Sequence, residues 1–281
     1  MTITATPTAA EAPTRAAATV HLTFPRLLRS EWIKLATLRS TWWSIALVAL
    51  ISVGLSLLIA SSLASSIQQS PDAAGIAGFN PVIAITGPTQ FTMLLAGILG
   101  AIAITGEYST GMIRSTFTAE PRRGAVLGAK AIVVALLLAV TSLVVFAAAV
   151  VATMPALTDV PLDWSKPGDT LLPIVYGALS MAAFALIGLS FGFIIRNGAG
   201  AIAATVGLLF VLPIVTAMLP STPDWKWLVT AGNHLPMNAA QSLMAAGGGA
   251  PLGVPEAAIT LACWVAAGLL GAWAVLRTRD A

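Results

Sequence analysis

The chain has 281 residues, of which 57% are hydrophobic and only 9% are Asp, Glu, Lys or Arg. Ordinary soluble domains carry about 25% charged residues, so this composition excludes a water-soluble globular protein. The net charge of +3 at pH 7 does not imply a nucleic-acid partner, because membrane topology alone produces an excess of basic residues. With one cysteine, Cys263, the chain has neither an intrachain disulfide nor a multi-cysteine metal site.

The N-terminal segment, residues 1–23, consists mainly of Thr, Ala and Pro. It offers too little apolar surface to offset the entropy of ordering, so we expect a disordered cytoplasmic tail. Residues 24–40 then show helical periodicity, with an apolar arc formed by Phe24, Leu27, Leu28, Trp32, Leu35 and Leu38. The opposite side is basic, which predicts an amphipathic interfacial helix, although Glu31 falls within the apolar arc. A solvated stem without a function is the alternative.

Residues 41–281 contain six stretches that are apolar and nearly free of charge. A bilayer crossing takes about 20 such residues, and the predicted spans are residues 42–63, 89–104, 127–153, 171–195, 199–219 and 257–275. The second span is the shortest, because Gly87 and Pro88 interrupt its N-terminal side. A longer outer loop, residues 220–256, precedes the sixth span. The prediction is an all-α polytopic membrane protein of six transmembrane helices, with both termini on one side.

The basic residues favour one orientation of these spans. If both termini are cytoplasmic, Lys166 and Lys226 are the only outer ones among the 14 Lys and Arg. This division follows the rule that loops on the cytoplasmic side are enriched in Lys and Arg. Removing the second span would move four basic residues, from Arg114 to Lys130, to the outside. Six spans with cytoplasmic termini are therefore the predicted topology.

One short segment matches a catalytic motif: Gly188-Leu189-Ser190-Phe191-Gly192 has the G-x-S-x-G pattern of a nucleophile elbow. An elbow requires a strand-to-helix turn, whereas this segment lies inside an apolar helix. The two histidines, His21 and His234, fall in the tail and in the outer loop. Small residues at four-residue spacing are instead expected to let helices pack closely. An intramembrane hydrolase around Ser190 is thus the weaker alternative.

The sequence also lacks the patterns of nucleotide-binding, metal-binding and ion-coupling sites. The nearest approach to a phosphate loop, residues 124–130, has the wrong glycine spacing and lacks a Ser or Thr after the lysine. With two distant histidines and no paired carboxylates, we expect no metal, cofactor or catalytic residue in this chain. No span carries a charged residue or histidine near its midpoint, where ion-coupled carriers bind their ion. Energy for any transport is therefore expected from another subunit.

The densest polar segment, residues 106–124, follows the second span. This segment and the region around the first span contain the patterns Ser30-Glu31-Trp32-Ile33-Lys34-Leu35, Leu38-Arg39-Ser40-Thr41-Trp42-Trp43, Gly106-Glu107-Tyr108, Gly111-x-Ile113-Arg114 and Pro121-Arg122-Arg123, followed by Lys130. The chain resembles the ABC-2 (type-2) permease subunits of bacterial ATP-binding-cassette exporters. The six-span order, the Arg196-Asn197-Gly198 turn and the long outer loop are also similar, so the resemblance covers most of the chain after residue 24. Met112 departs from the family pattern, in which threonine more often follows the glycine.

The resemblance implies a permease that is not itself an enzyme and forms the substrate pathway as a dimer with a second copy or a paralogue. It implies a multi-pass protein of the bacterial cytoplasmic membrane, driven by a cytoplasmic ATP-binding cassette subunit that holds ATP and Mg. The residues matched to the contact with that subunit are Arg29, Glu31, Lys34, Glu107, Gly111, Arg114, Arg122 and Arg123. Read without the resemblance, the basic residues only set the topology. The alternative function is a non-transporting membrane assembly or lipid-interacting protein, and the sequence does not identify a substrate.

Overall fold

The computed structural model describes residues 23–69, 80–220, 222–245 and 249–278, and that part of the chain contains helices and no strands. The tail predicted for residues 1–23 lies outside the described residues, apart from its last residue. The helices are α1 (Phe24–Thr37), α2 (Arg39–Gln69), α3 (Ile83–Thr86), α4 (Thr89–Thr110), α5 (Met112–Ala119), α6 (Arg123–Thr153), α7 (Leu171–Ile195), α8 (Gly198–Val206), α9 (Leu212–Ala217), α10 (Lys226–Asn233), α11 (Pro236–Met244) and α12 (Val254–Thr278).

Six helical stretches of the described chain are long and apolar enough to cross a membrane, which confirms the all-α, six-span prediction. They are Arg39–Gln69, Ile83–Thr110, Arg123–Thr153, Leu171–Ile195, Gly198–Ala217 and Val254–Thr278. The second stretch is longer at both ends than the sequence predicted. Pro88 does not end it, because this proline caps α4, where its missing N–H costs no helical hydrogen bond. The fifth stretch includes a π-helical segment, Gly207–Val211, between α8 and α9.

Helices α4 and α7 cross in backbone contact near the centre of the bundle. A Cβ atom added at Gly188 of α7 would lie 1.8 Å from the carbonyl oxygen of Gly97, and one added at Gly100 of α4 would lie 1.9 Å from that of Ala185. At Gly192, an added Cβ would lie 2.3 Å from a side-chain carbon of α4. The expectation that Gly188 and Gly192 allow close helix packing is therefore confirmed.

The predicted outer loop contains two short helices, α10 and α11, which the sequence analysis did not predict. Helix α11 is enclosed rather than exposed, and Met237, Leu243 and Met244 join the main hydrophobic core with residues of α7 and α12. The length of apolar runs does not indicate such a helix, because its 9 residues are too few to cross a bilayer. Pro236 at its first turn is the local signal for its start.

The two ends of the helix bundle differ in charge. We call the end at which α2 and α6 begin the basic end, and the opposite end the acidic end. The described Lys and Arg of the basic end are Arg26, Arg29, Lys34, Arg39, Arg114, Arg122, Arg123, Lys130, Arg196 and Arg277, and its acids are Glu31, Glu107 and Glu120. At the acidic end the described charges are Lys166, Lys226, Asp159, Asp163, Asp169, Asp224 and Glu256. The described chain is thus strongly polarised along the bundle axis.

The contact between α4 and α7 predicts a large effect of one added methyl group. We expect Gly188→Ala to lower stability by at least the 1–3 kcal/mol that is roughly typical of overpacking, because the new Cβ meets backbone that no rotamer change moves aside. Gly54→Ala in α2 is the matched control, since nothing lies within 4 Å of a Cβ added there. Thermal unfolding of the purified proteins in detergent measures both. Equal melting temperatures for the two variants would contradict the described packing.

Candidate functional site

Helix α1 lies against α6 at the basic end through one buried face. Every fourth residue of α1 contributes to that face, namely Leu27, Glu31 and Leu35, and Leu27 packs in a small cluster with residues of α6. Trp32 and Ile33 on the outer side remain 47% and 48% exposed. The apolar arc predicted for this helix is therefore divided between a side that contacts protein and a side that faces outwards.

Glu31, the acid in the apolar arc, meets a lysine of α6. The Nζ atom of Lys130 donates hydrogen bonds to one carboxylate oxygen of Glu31 and, at 2.8 Å, to Oε1 of Glu107 in α4. The Nζ atom of Lys34 donates to Oε1 of Glu31 at 2.7 Å and to Oε1 of Glu107 at 3.2 Å. It also lies 3.3 Å from the hydroxyl of Thr116 in α5. We call Glu31, Lys34, Glu107 and Lys130 the charge cluster, and its formal charges sum to zero.

The charge cluster is enclosed by the protein. The side chains of Glu31 and Lys130 are 1% exposed, that of Glu107 is 5% exposed, and Lys34 is the most open at 24%. Burial opposes ionisation of Glu31, but the ammonium groups of Lys130 and Lys34 hold its pKa below the usual value. Burial likewise opposes ionisation of Lys34, yet the carboxylates of Glu31 and Glu107 raise its pKa. Both groups are therefore charged at neutral pH.

Gly111 forms the turn between the end of α4 and the start of α5. Gly111 has a φ of 73°, in the left-handed region that glycine adopts without steric cost, and its N–H donates to the carbonyl of Tyr108. Helix α5 then buries Ile113, while Phe117 packs with the cluster that contains Leu27 of α1. Helices α1 and α5 consequently lie close together at the basic end, next to the charge cluster.

The arginines around α5 have different surroundings. Arg114 is exposed on α5. Arg122 donates to both carboxylate oxygens of Glu120, each at 2.9 Å, and these hydrogen bonds lower the pKa of Glu120. Arg123 donates to the carbonyl oxygen of Leu276 at 2.7 Å, so it joins the start of α6 to the end of α12. Arg123 thus contacts the chain itself, whereas Arg114 projects from it.

The structure separates the residues predicted for the partner contact into two groups. Glu31, Lys34 and Glu107 belong to the charge cluster, and the two carboxylates face lysines of the same chain rather than the surface. Arg123 is half-buried, and the exposed residues are Arg29, Gly111, Arg114 and Arg122. Direct contact with a partner stays a prediction, and the exposed residues are the ones that the geometry leaves accessible for it.

Two members of this site, Lys130 and Thr116, were not among the residues predicted for it. A signal for Lys130 is nevertheless present in the sequence, because an acid on an apolar face requires a cation when that face is buried. Lys130 lies 99 positions from Glu31, immediately before a long apolar run. Which cation meets Glu31 depends on how α1 crosses α6. No comparable signal indicates Thr116.

The alternative of a hydrolase around Ser190 gains no support from the geometry. The Ser190 hydroxyl donates to the carbonyl of Leu186 in its own helix at 2.7 Å. The histidine that the structure describes, His234, lies at the acidic end, 3.2 Å from Glu256, whereas Ser190 lies near the basic end of α7. Within the described chain, no base is placed to activate this serine.

A comparison with models of known protein families gives a match. A family model described as "ABC-2 family transporter protein" matches residues 27–222, more than two thirds of the chain. The matched region contains the whole charge cluster, α5 and the first five membrane-crossing stretches. A search of curated proteins finds no match.

The charge cluster predicts that removing one lysine is costly. Lys130→Met leaves Glu31 and Glu107 buried beside a single lysine, and losing one partner of a buried ion pair costs about 3–5 kcal/mol. The double variant Glu31→Gln/Lys130→Met removes one charge of each sign and should recover part of the loss. Lys166→Met, at an ion-paired lysine whose side chain is 68% exposed, is the control. If unfolding in detergent shows Lys130→Met to be as stable as Lys166→Met, the cluster is not a stabilising element.

The pKa shifts predict a pH range for this stabilisation. The folded pKa of Glu31 is below its ordinary value of 4.5, so its contribution to stability is complete above pH 4.5 and is lost as the pH falls through the lowered pKa. The folded pKa of Lys34 is above 10.5, so its contribution is complete below 10.5 and is lost as the pH rises through the raised pKa. The difference in melting temperature between wild type and Glu31→Gln should therefore shrink as the pH falls through the lowered pKa of Glu31, and that between wild type and Lys34→Gln should shrink as the pH rises through the raised pKa of Lys34. Differences that are constant at both extremes would refute this.

Proposed function

The chain belongs to the ABC-2 family of transporter proteins, and we propose that it is the transmembrane permease subunit of an ATP-binding-cassette exporter. Family membership identifies a membrane transport component that is not itself catalytic. In the proposal, the basic end faces the cytoplasm, and a separate ATP-binding subunit docks there with its ATP and Mg. Two copies of the chain, or one copy and a paralogue, enclose the substrate pathway.

The orientation rests on the distribution of charge between the two ends. Ten described Lys and Arg lie at the basic end and two at the acidic end. Cytoplasmic loops of multi-pass proteins carry such an excess, which supports cytoplasmic termini in a bacterial cytoplasmic membrane. The acidic end, with α10 and α11, then faces the exterior.

The charge cluster is the observation that carries the coupling role. It joins α1 to the ends of two membrane-crossing helices, through Glu107 of α4 and Lys130 of α6, and Lys34 extends it to α5. Separating these helices would leave buried charges without partners, which is strongly unfavourable. A force applied to α1 or α5 is therefore passed to α4 and α6 rather than absorbed by a flexible loop.

The proposed docking surface consists of the outer sides of α1 and α5. It presents the guanidinium groups of Arg29 and Arg114, which suit carboxylates on a soluble protein because a guanidinium donates two parallel hydrogen bonds. The sequence contains no phosphate loop and no charged residue near the midpoint of a span. Hydrolysis of ATP is accordingly assigned to the docked subunit.

A lipid-interacting protein without transport is the second candidate function, and one observation favours it. Trp32 and Ile33 are about half exposed on the outer side of α1, as expected of a helix in the headgroup layer. The same exposure fits a permease whose α1 lies at the membrane surface. Dependence of transport on an ATP-binding subunit separates the two functions.

The turn at Gly111 provides a test of docking. An alanine at a φ of 73° is strained by about 1–2 kcal/mol, so Gly111→Ala should tilt α5 and lower the amount of co-purified ATP-binding subunit by about fivefold. Gly106→Ala is the matched control, because Gly106 lies in α4 and neither position has an atom within 4 Å of an added Cβ. Membrane insertion should be normal for both. The docking role of α5 is wrong if the two variants co-purify equal amounts and transport at equal rates.

A further inference from the structure

A cavity of about 570 Å³ opens at the acidic end, between the start of α7, the end of α11 and the start of α12. Its volume lies within the range of about 300–1,000 Å³ that is typical of small-molecule sites. Apolar side chains form much of the wall, namely Leu172, Pro173, Leu243, Leu252 and Val254. The polar side chains on the wall are Asp169, Tyr176 and Ser242. The cavity thus combines an apolar surface with a few polar groups.

Asp169 carries the charge of this cavity. It is the one charged residue among the described residues of the wall, and it takes part in none of the ion pairs of the described chain, whereas nearby Lys166 pairs with Asp163. The backbone carbonyl of Asp169 accepts a hydrogen bond from the side-chain amide of Asn80, a contact that does not involve the carboxylate. The hydroxyl of Ser242 donates to the carbonyl of Asn238. The Asp169 carboxylate therefore remains available to a ligand.

The surroundings of the cavity favour a positively charged ligand. The described charges of the acidic end comprise five acids and two lysines, and a surplus of one sign raises the local concentration of ions of the opposite sign. Tyr176 adds aromatic surface, which attracts organic cations. An anion would meet the uncompensated carboxylate, and a small hydrated cation would gain nothing from the apolar wall.

We infer that this cavity binds a lipophilic organic cation, with Asp169 as the counter-ion and the leucines and Val254 covering the apolar body. The inference rests on the proposed function for its physiological meaning, since the cavity lies opposite the docking surface, at the end where an exporter releases its substrate. Binding itself requires no ATP-binding subunit. The competing explanation for an acid at position 169 is that its negative charge stabilises the N-terminus of α7 electrostatically.

The test uses the full chain alone in phosphatidylcholine nanodiscs. Equilibrium dialysis measures binding of tetraphenylphosphonium and of tetraphenylborate, which match in size and shape and differ in the sign of the charge, against empty nanodiscs. Wild type should bind the cation and show no excess of the anion. Asp169→Asn should weaken cation binding by about fivefold, the value of a partly exposed ion pair of ~1 kcal/mol. Asp159→Asn, which makes the same charge change at an exposed position of the same end, should leave it unchanged.

A second variant tests the apolar wall. Ala250 lies on the wall, so Ala250→Leu should weaken cation binding by partial filling of the cavity without any change in charge. Equal affinity in wild type and Asp169→Asn would overturn the inference and leave Asp169 as a helix-stabilising residue. Equal weakening of cation binding by Asp169→Asn and Asp159→Asn would also overturn it, because the loss would then reflect only the total negative charge of the acidic end. ATP-driven transport without cation binding would refute this inference alone, whereas cation binding without ATP-dependent transport would refute the proposed function alone.

Discussion

A lysine enclosed by protein beside a membrane-crossing segment requires an anion in contact with it, and the arrangement of the basic end depends on this constraint. Lys130 is 1% exposed, and the desolvation of its ammonium group costs several kcal/mol unless carboxylates compensate it. Glu31 and Glu107 supply that compensation from two other helices. Helices α1 and α4 are therefore held to α6 by a requirement of charge balance, in addition to apolar packing.

Helix α4 connects this constraint to the centre of the molecule. Glu107 lies near one end of α4, while Gly97 and Gly100 farther along it bring its backbone against α7. Helix α7 continues from this contact to the acidic end, where its first turns line the cavity with Leu172 and Tyr176. A continuous series of closely packed helices thus runs from the charge cluster to the cavity at the acidic end.

The two ends of the bundle differ in how their acidic residues are paired. Each described acid of the basic end is paired with a cation of the same chain, as in Glu120 with Arg122, so the surplus charge of that end is positive and lies largely on exposed arginines. At the acidic end, Asp169 lines an open cavity without an ion-pair partner in the described chain. One end is accordingly suited to a soluble partner with surface carboxylates, and the other to a cationic ligand.

The sequence by itself determined the helical class, the six crossings and the amphipathic character of α1, because apolar run length and helical periodicity are local properties of the chain. It also located the small residues Gly188 and Gly192 at a helix contact. Only the tertiary structure decided that Glu31 pairs with a lysine 99 positions away, that α11 is buried and that Asp169 faces a cavity. Each of these depends on how distant helices cross, and the crossing follows from side-chain packing over the whole bundle rather than from any local pattern.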